Sequence, residues 1–148
     1  MTPDVNVLVA AFRQDHPHHA VARQWLKETL LTCQSGATFS ILPMVAAGFL
    51  RLVTHAKVFV QPTPSEDALA FLHALLSIPG VKLLPLSGEW THFTALCAGH
   101  RLMGNAIPDA WIAASVRHNH LHLVTFDKGF RRFLKPGRLT ILGAGQRV

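Results

Sequence analysis

Acids are scarce in this chain: eight Asp and Glu stand against fourteen Lys and Arg in 148 residues. Charged residues of both signs make up only 15% of the sequence, and hydrophobic residues 49%. That balance excludes a disordered chain, which needs low hydrophobicity and high charge. Cysteine is nearly absent. Cys33 and Cys97 lie far apart in apolar helical patterns and match no zinc or redox spacing. No run of 18 consecutive apolar residues occurs, so no membrane span is expected. The start lacks a basic segment followed by an apolar run and a cleavage site, so no secretory signal is expected. A cytoplasmic location with reduced thiols follows. A P-loop, a Rossmann glycine fingerprint and a motif-supported Ser-His-Asp arrangement are also missing.

What is present is basic and densely apolar. The net charge is +6 before any of ten histidines is counted, with a pI near 10.2. A basic soluble domain commonly meets a polyanion, and nucleic acid is the first candidate. The length suits one domain over residues 1–148, large enough to bury about two-thirds of its unfolded surface.

Strand and helix patterns alternate. Thr2 to Val5 reads as a short strand ending at Asp4, with Asn6 as N-cap of a helix through Phe12. Ala22, Trp25, Leu26, Thr29, Leu30 and Cys33 recur at helical spacing, and so do Leu42, Val45, Ala46, Phe49, Leu50 and Val53, with Arg51 on the opposite side. Ser65 and Ser87 read as caps of two further helices, the second with Trp90, Phe93, Leu96 and Cys97 inward. Short strands are predicted at 37–40, 81–86, 121–126 and 139–142. This alternation predicts an α/β fold with a parallel sheet covered on both faces.

One stretch organises the rest: Gly104-Asn105-Ala106-Ile107-Pro108-Asp109-Ala110-Trp111. Turn formers lead into a helix, with Pro108 predicted at its first position. Asp109 then sits in the first turn, where the helix dipole favours a carboxylate and is expected to keep its pKa low. Five of the eight acids have simple places in turns, first turns or an exposed face. The other three, Asp4, Asp109 and Asp127, fall at strand ends or at this helix opening. Ligands of parallel sheets bind at the carboxyl ends of strands. Three carboxylates gathered there repel unless a cation lies between them, and hard oxygen donors suit Mg²⁺ or Mn²⁺. Acids, a metal and a basic surface point to phosphodiester hydrolysis. The competing reading makes each Asp a local cap or turn residue.

Four segments then resemble the PIN-domain family, and within it the VapC-type toxins of prokaryotic toxin–antitoxin pairs. They are Asp4-Val5-Asn6-Val7-Leu8, Gly48-Phe49-Leu50-Arg51-Leu52-Val53-Thr54, Asn105-Ala106-Ile107-Pro108-Asp109-Ala110 and Thr125-Phe126-Asp127-Lys128-Gly129-Phe130. The resemblance implies a three-layer α/β/α sandwich around a mostly parallel sheet. It implies a Mg²⁺-dependent ribonuclease with Asp4, Asp109 and Asp127 as metal ligands and catalytic acids, and with Asn6 and Thr125 supporting them. It also implies a homodimer and an antitoxin partner that blocks the site. One departure stands out. Many members carry a Glu on the middle helix, and here the corresponding position is Ala46 or Gly48. Three of four acids remain, so one well-bound metal is expected.

Lys128, Arg131 and Arg132, with Lys135 and Arg138 beyond them, follow Asp127 closely. Their position predicts phosphate-backbone contacts to RNA, and Arg51 is assigned the same role. His16, His18 and His19 lack cysteine or acid co-ligands and read as a solvated helix start. Trp90 reads as core or dimer interface; Trp111 suits either a stacked base or a partner subunit. The alternative functions are a non-catalytic, degenerate PIN module that binds RNA or antitoxin, and a receiver-like or phosphatase-like domain. The last is disfavoured by the basic surface and by the lack of paired acids early in the chain.

Overall fold

The computed structural model describes residues 1–143; residues 144–148 of the predicted domain lie outside the described residues. Five short strands form its frame: β1 (Thr2–Pro3), β2 (Phe39–Ile41), β3 (Val81–Leu83), β4 (Leu123–Thr125) and β5 (Leu139–Ile141). β1 pairs with β4 and β4 with β5, all parallel, and β2 pairs in parallel with β3. Met1 joins the two ladders. Its amino group donates to the Thr38 carbonyl at 2.9 Å, and the Ser40 amide donates to the Met1 carbonyl at 2.9 Å. That alternation is the parallel pairing pattern. The ladders β1-β4-β5 and β2-β3, bridged at Met1, therefore follow one another in the order β3-β2-β1-β4-β5, and the pairing is parallel as the sequence pattern predicts.

The chain first moves outward from β1 to β3 and then returns past β1 to β4. Right-handed crossovers place the outgoing and returning helices on opposite faces of the sheet. The outgoing helices are α1 (Val5–Phe12), α2 (His19–Gln34), α3 (Pro43–Val53) and α4 (Ser65–Leu76). α1 packs on α2 and α3, and α3 on α4. The returning pair, α5 (Glu89–His100) and α6 (Ala106–His118), pack on each other. The result is the expected three-layer sandwich. Val7 to Ala11 of α1 are all buried, as are Ala110 and Ile112 to Val116 of α6, so both helices are enclosed on nearly every side.

Several local expectations change. Asp4, not Asn6, caps α1, because its Oδ1 accepts the Val5 amide at 2.7 Å. Ser65 lies inside α4 after Pro64, and Gly88 rather than Ser87 precedes α5; neither serine makes a side-chain cap. β3 stops at Leu83 with Lys82 and Leu83 exposed, so the predicted buried strand to Leu86 is not formed. Pro108 is the third residue of α6 rather than the first, a position whose amide also lacks an intrahelical partner. Trp90 points outward, 62% exposed. Among the described residues, no helix is long and apolar enough to cross a membrane.

Candidate active site

β1 and β4 are neighbours whose connections leave in opposite directions. The crevice beyond the carboxyl ends of two such strands is where open α/β sheets bind ligands. Asp4 follows β1 directly. Asp127 lies two residues beyond β4 and caps the 3₁₀ turn Lys128–Arg132, its Oδ1 accepting the Gly129 amide at 2.7 Å. Asp109 enters from the first turn of α6. All three line one groove of about 690 Å³, together with Asn6, Arg51, Asn105 and Trp111.

Thr125 joins two of the acids. Its hydroxyl donates to Asp4 Oδ2 at 2.6 Å and accepts from the Asp127 amide at 3.0 Å and from Asn6 Nδ2 at 3.1 Å. Asn6 Oδ1 accepts the Phe126 amide at 3.3 Å. A single buried hydroxyl thus fixes Asp4, Asn6 and the end of β4 together. The supporting roles expected of Asn6 and Thr125 have this geometry beneath them.

The electrostatics differ from expectation at one residue. Burial pushes the Asp4 carboxyl up to about 6, against bonds from Thr125 and Val5 and with help from the charges of Asp109 and Asp127. Asp109 is also raised, by burial first and by the Asp127 charge second, while Arg132 pulls it down. The predicted low pKa of Asp109 is therefore overturned. The dipole of the α6 first turn is outweighed by partial desolvation and a like-charged neighbour. Among the described residues, none of the three carboxylates has a basic side chain within 4 Å.

Among those residues, too, no three His, Cys, Asp or Glu side chains stand in a ready-made metal cage. The donor chemistry still fits a small hard cation. Mg²⁺ is commonly held through one or two carboxylates and keeps several waters, and a cation offsets both the burial and the neighbouring negative charge that raise the Asp4 and Asp109 carboxyls.

At the place of the missing fourth acid, α3 packs tightly on α1. Gly48, with Met44, Ala47 and Arg51, lines the groove, whereas Ala46 does not. A Cβ on Gly48 would lie 2.8 Å from Val5 Cγ2. Val5 occupies the space that a longer side chain at position 48 needs.

The basic residues separate. Arg51 lines the groove, on the site side of α3. Arg132 is close enough to act on Asp109, with its guanidinium carbon 4.4 Å from the centre of the Phe133 ring. Arg131 instead lines a separate depression with Leu134, Pro136, Leu139 and Ile141. Lys128 is exposed. Arg138 is committed to the Leu121 carbonyl and His120. His18 stacks on Phe126, ring centres 4.6 Å apart, and His19 bonds the Ala10 carbonyl at 2.8 Å. Sequence reasoning singled out Trp111 but missed the rest of the groove's apolar wall, formed with it by Val5, Met44 and Ile107. Its members are spread over three helices and have no shared spacing.

The PIN-domain model matches residues 1–135. The chain belongs to the PIN-domain family. It is 38% identical over 133 residues to Ribonuclease VapC25 of Mycobacterium tuberculosis, covering 88% of this chain and 90% of that protein. It is 36% identical to Ribonuclease VapC31 of the same species with the same coverage. It is 37% identical over 131 residues to VapC ribonuclease Mb2897 of Mycobacterium bovis, covering 88% of this chain and 87% of that one. Among solved structures it shares its fold with VapBC2 from Rickettsia felis, solved bound to a DNA fragment from their promoter. The TM-score is 0.65 at 20% identity, covering 95% of this chain and 97% of that one. The family matches the one that the four sequence segments resemble.

Proposed function

We propose that this PIN domain is a metal-dependent endoribonuclease that acts as the toxin of a toxin–antitoxin pair. The observation that carries the reading is the arrival of Asp4, Asp109 and Asp127, from three separate elements, in one groove at the β1/β4 crevice. The naming of its relatives as VapC ribonucleases supports it. In this reading the three acids hold Mg²⁺ or Mn²⁺. When bound, such an ion activates water and neutralises charge developing on the phosphoryl group. The chain's own residues do the rest. Thr125 and Asn6 hold Asp4 in place, and Asp109 and Asp127 complete the acidic rim. Arg51 and Arg132 face the substrate phosphates, and Lys128 and Arg131 extend the basic surface over more of the strand. RNA is the substrate, the protein acts in the cytoplasm as a homodimer, and a cognate antitoxin occludes the groove. The VapBC2 structure shares this fold, and the toxin–antitoxin part of the reading is taken from it by likeness.

A second reading keeps the fold without the chemistry, as a module that binds RNA or antitoxin. The filled space at Gly48 favours it, since one usual acid is absent. Cleavage of RNA with Mg²⁺ or Mn²⁺ separates the two. The native chain is expected to cut and Asp109→Asn to lose more than about 100-fold, beyond the range typical of outer-sphere residues. A native chain that cuts with neither metal, and is no more toxic in cells than Asp109→Asn, removes the nuclease reading.

A further inference from the structure

Three aromatic rings run from the groove to the outer surface of the α5–α6 layer. Trp111 lines the groove beside Asp109. Phe93 is buried beneath it, with ring centres 4.5 Å apart. Trp90 touches both, 5.5 Å from Phe93 and 5.9 Å edge-on from Trp111. Trp90 is held by two ring contacts and yet is 62% exposed. Trp90 thus presents an indole to solvent that is continuous, through Phe93, with the ring that lines the groove, and an indole face is a surface on which a base can stack.

The charge distribution is compatible with an anionic strand. The acid next to Trp90, Glu89, is turned inward and only 3% exposed; it accepts the Ser87 amide at 2.7 Å and Asn119 Nδ2 at 3.3 Å. No carboxylate is thereby presented beside the indole by its own helix turn. Arg132 lies on the Asp109 side of the groove, and the chain as a whole carries +6. Successive bases of single-stranded nucleic acid stack on aromatic faces along a basic track, with little regard to sequence.

Resting on the ribonuclease reading, we infer that Trp111 and Trp90 form a base-stacking track that carries single-stranded RNA out of the acidic groove across the α5–α6 face. Trp111 takes the base nearest the acids, and Trp90 takes the next base or bases outside. Neither ring takes part in bond cleavage. They set how much unpaired strand the protein holds.

The test measures binding without cleavage. Labelled oligouridylates of three and ten nucleotides are titrated by fluorescence anisotropy in metal-free buffer with chelator. Wild type, Trp90→Ala, Trp90→Phe and Trp111→Phe are compared, with circular dichroism to confirm folding. Trp90→Ala is expected to weaken the ten-mer roughly tenfold, the usual scale for one stacked base. It should leave the three-mer unchanged, and Trp90→Phe should recover most of the loss. The ten-mer should also quench tryptophan emission in a Trp25→Phe background, where only Trp90 and Trp111 remain. Unchanged ten-mer affinity in Trp90→Ala overturns the track and leaves the ribonuclease reading standing. So does a loss that accompanies a change of mass in sedimentation, which makes Trp90 a subunit contact instead. Wild-type protein that neither binds nor cuts RNA removes both.

Discussion

Thr125 is the residue on which the geometry of the acids depends most. It is fully buried, and its one hydroxyl serves Asp4, Asn6 and the Asp127 amide. Thr125→Val keeps the shape and removes all three bonds. It is expected to lower Mn²⁺ affinity or cleavage by about 10- to 100-fold, the cost typical of an outer-sphere partner. Calorimetric titration of Mn²⁺ checks it; unaltered affinity and rate would mean that the acids are held by the backbone alone. Asp4 also makes stability depend on pH. Its folded pKa is about 6 against an ordinary 3.8, so the folded chain holds this proton more tightly than the unfolded one. The resulting stabilisation is full below pH 3.8 and lost as pH rises through 6, and is of order 3 kcal/mol at most. Asp109 acts in the same direction. Urea unfolding of metal-free protein should show a loss of stability between pH 4 and 7 that is shallower in Asp4→Asn. Added Mg²⁺ at the higher pH should recover about 2.7 kcal/mol at a hundred times its Kd. Equal slopes in the two proteins would remove Asp4 as the source.

At the scale of elements, α3 and α1 meet the groove through Gly48 and Val5. The close approach that glycine permits there brings the two helices together and closes the position that an acid would need. Gly48→Glu is expected to cost about 1–3 kcal/mol, as overpacking does, and to leave metal stoichiometry unchanged. Paired with Val5→Ala, the same Glu has room to reach the groove and should raise Mn²⁺ affinity. Thermal melting and calorimetric titration follow the two effects separately. If the single variant folds as stably as the native chain, Val5 is not what excludes an acid. α6 shows the same dependence on neighbours. Its sequence is a strong helix opener with one acid in the first turn, yet the state of that acid is set by partial burial and by Asp127 from the far side of β4.

For the whole molecule, the order β3-β2-β1-β4-β5 is what creates a crevice between β1 and β4, and in the proposed ribonuclease it is charge that would steer RNA to it. Outside the groove, two of the eight acids are paired or buried. Asp15 is paired with Arg13 at 2.6 Å and Glu89 is buried. Arg51 projects into the acidic groove with no carboxylate within 4 Å among the described residues. Each phosphate contact to single-stranded nucleic acid contributes about 0.7 to the slope of log affinity against log salt. Arg51→Gln should therefore weaken oligouridylate binding and flatten that slope by about 0.7, with no change in sequence preference. A parallel but weaker salt line would show that Arg51 touches no phosphate.

Periodicity and composition were sufficient for the α/β class and for singling out Asp4, Asp109 and Asp127, of which Asp4 and Asp127 also prove to be local caps. Those features follow from chain-local physics: apolar spacing, turn chemistry and the rarity of carboxylates. The supporting positions of Asn6 and Thr125 came only through resemblance to the family, and the structure supplies the hydrogen bonds between them. The sequence could not assign the capping role to Asp4 over Asn6, choose Gly48 over Ala46, expose Trp90 or raise the pKa of Asp109. The cap is a local bond from the Val5 amide to Asp4, but the other three depend on residues distant in sequence: Val5 against Gly48, Trp111 against Trp90, and Asp127 against Asp109. The chain by itself determined the element pattern and which acids were candidates for the site. Tertiary packing decided their surroundings, because desolvation, steric room and neighbouring charge are set by residues that are distant in sequence and adjacent only after folding.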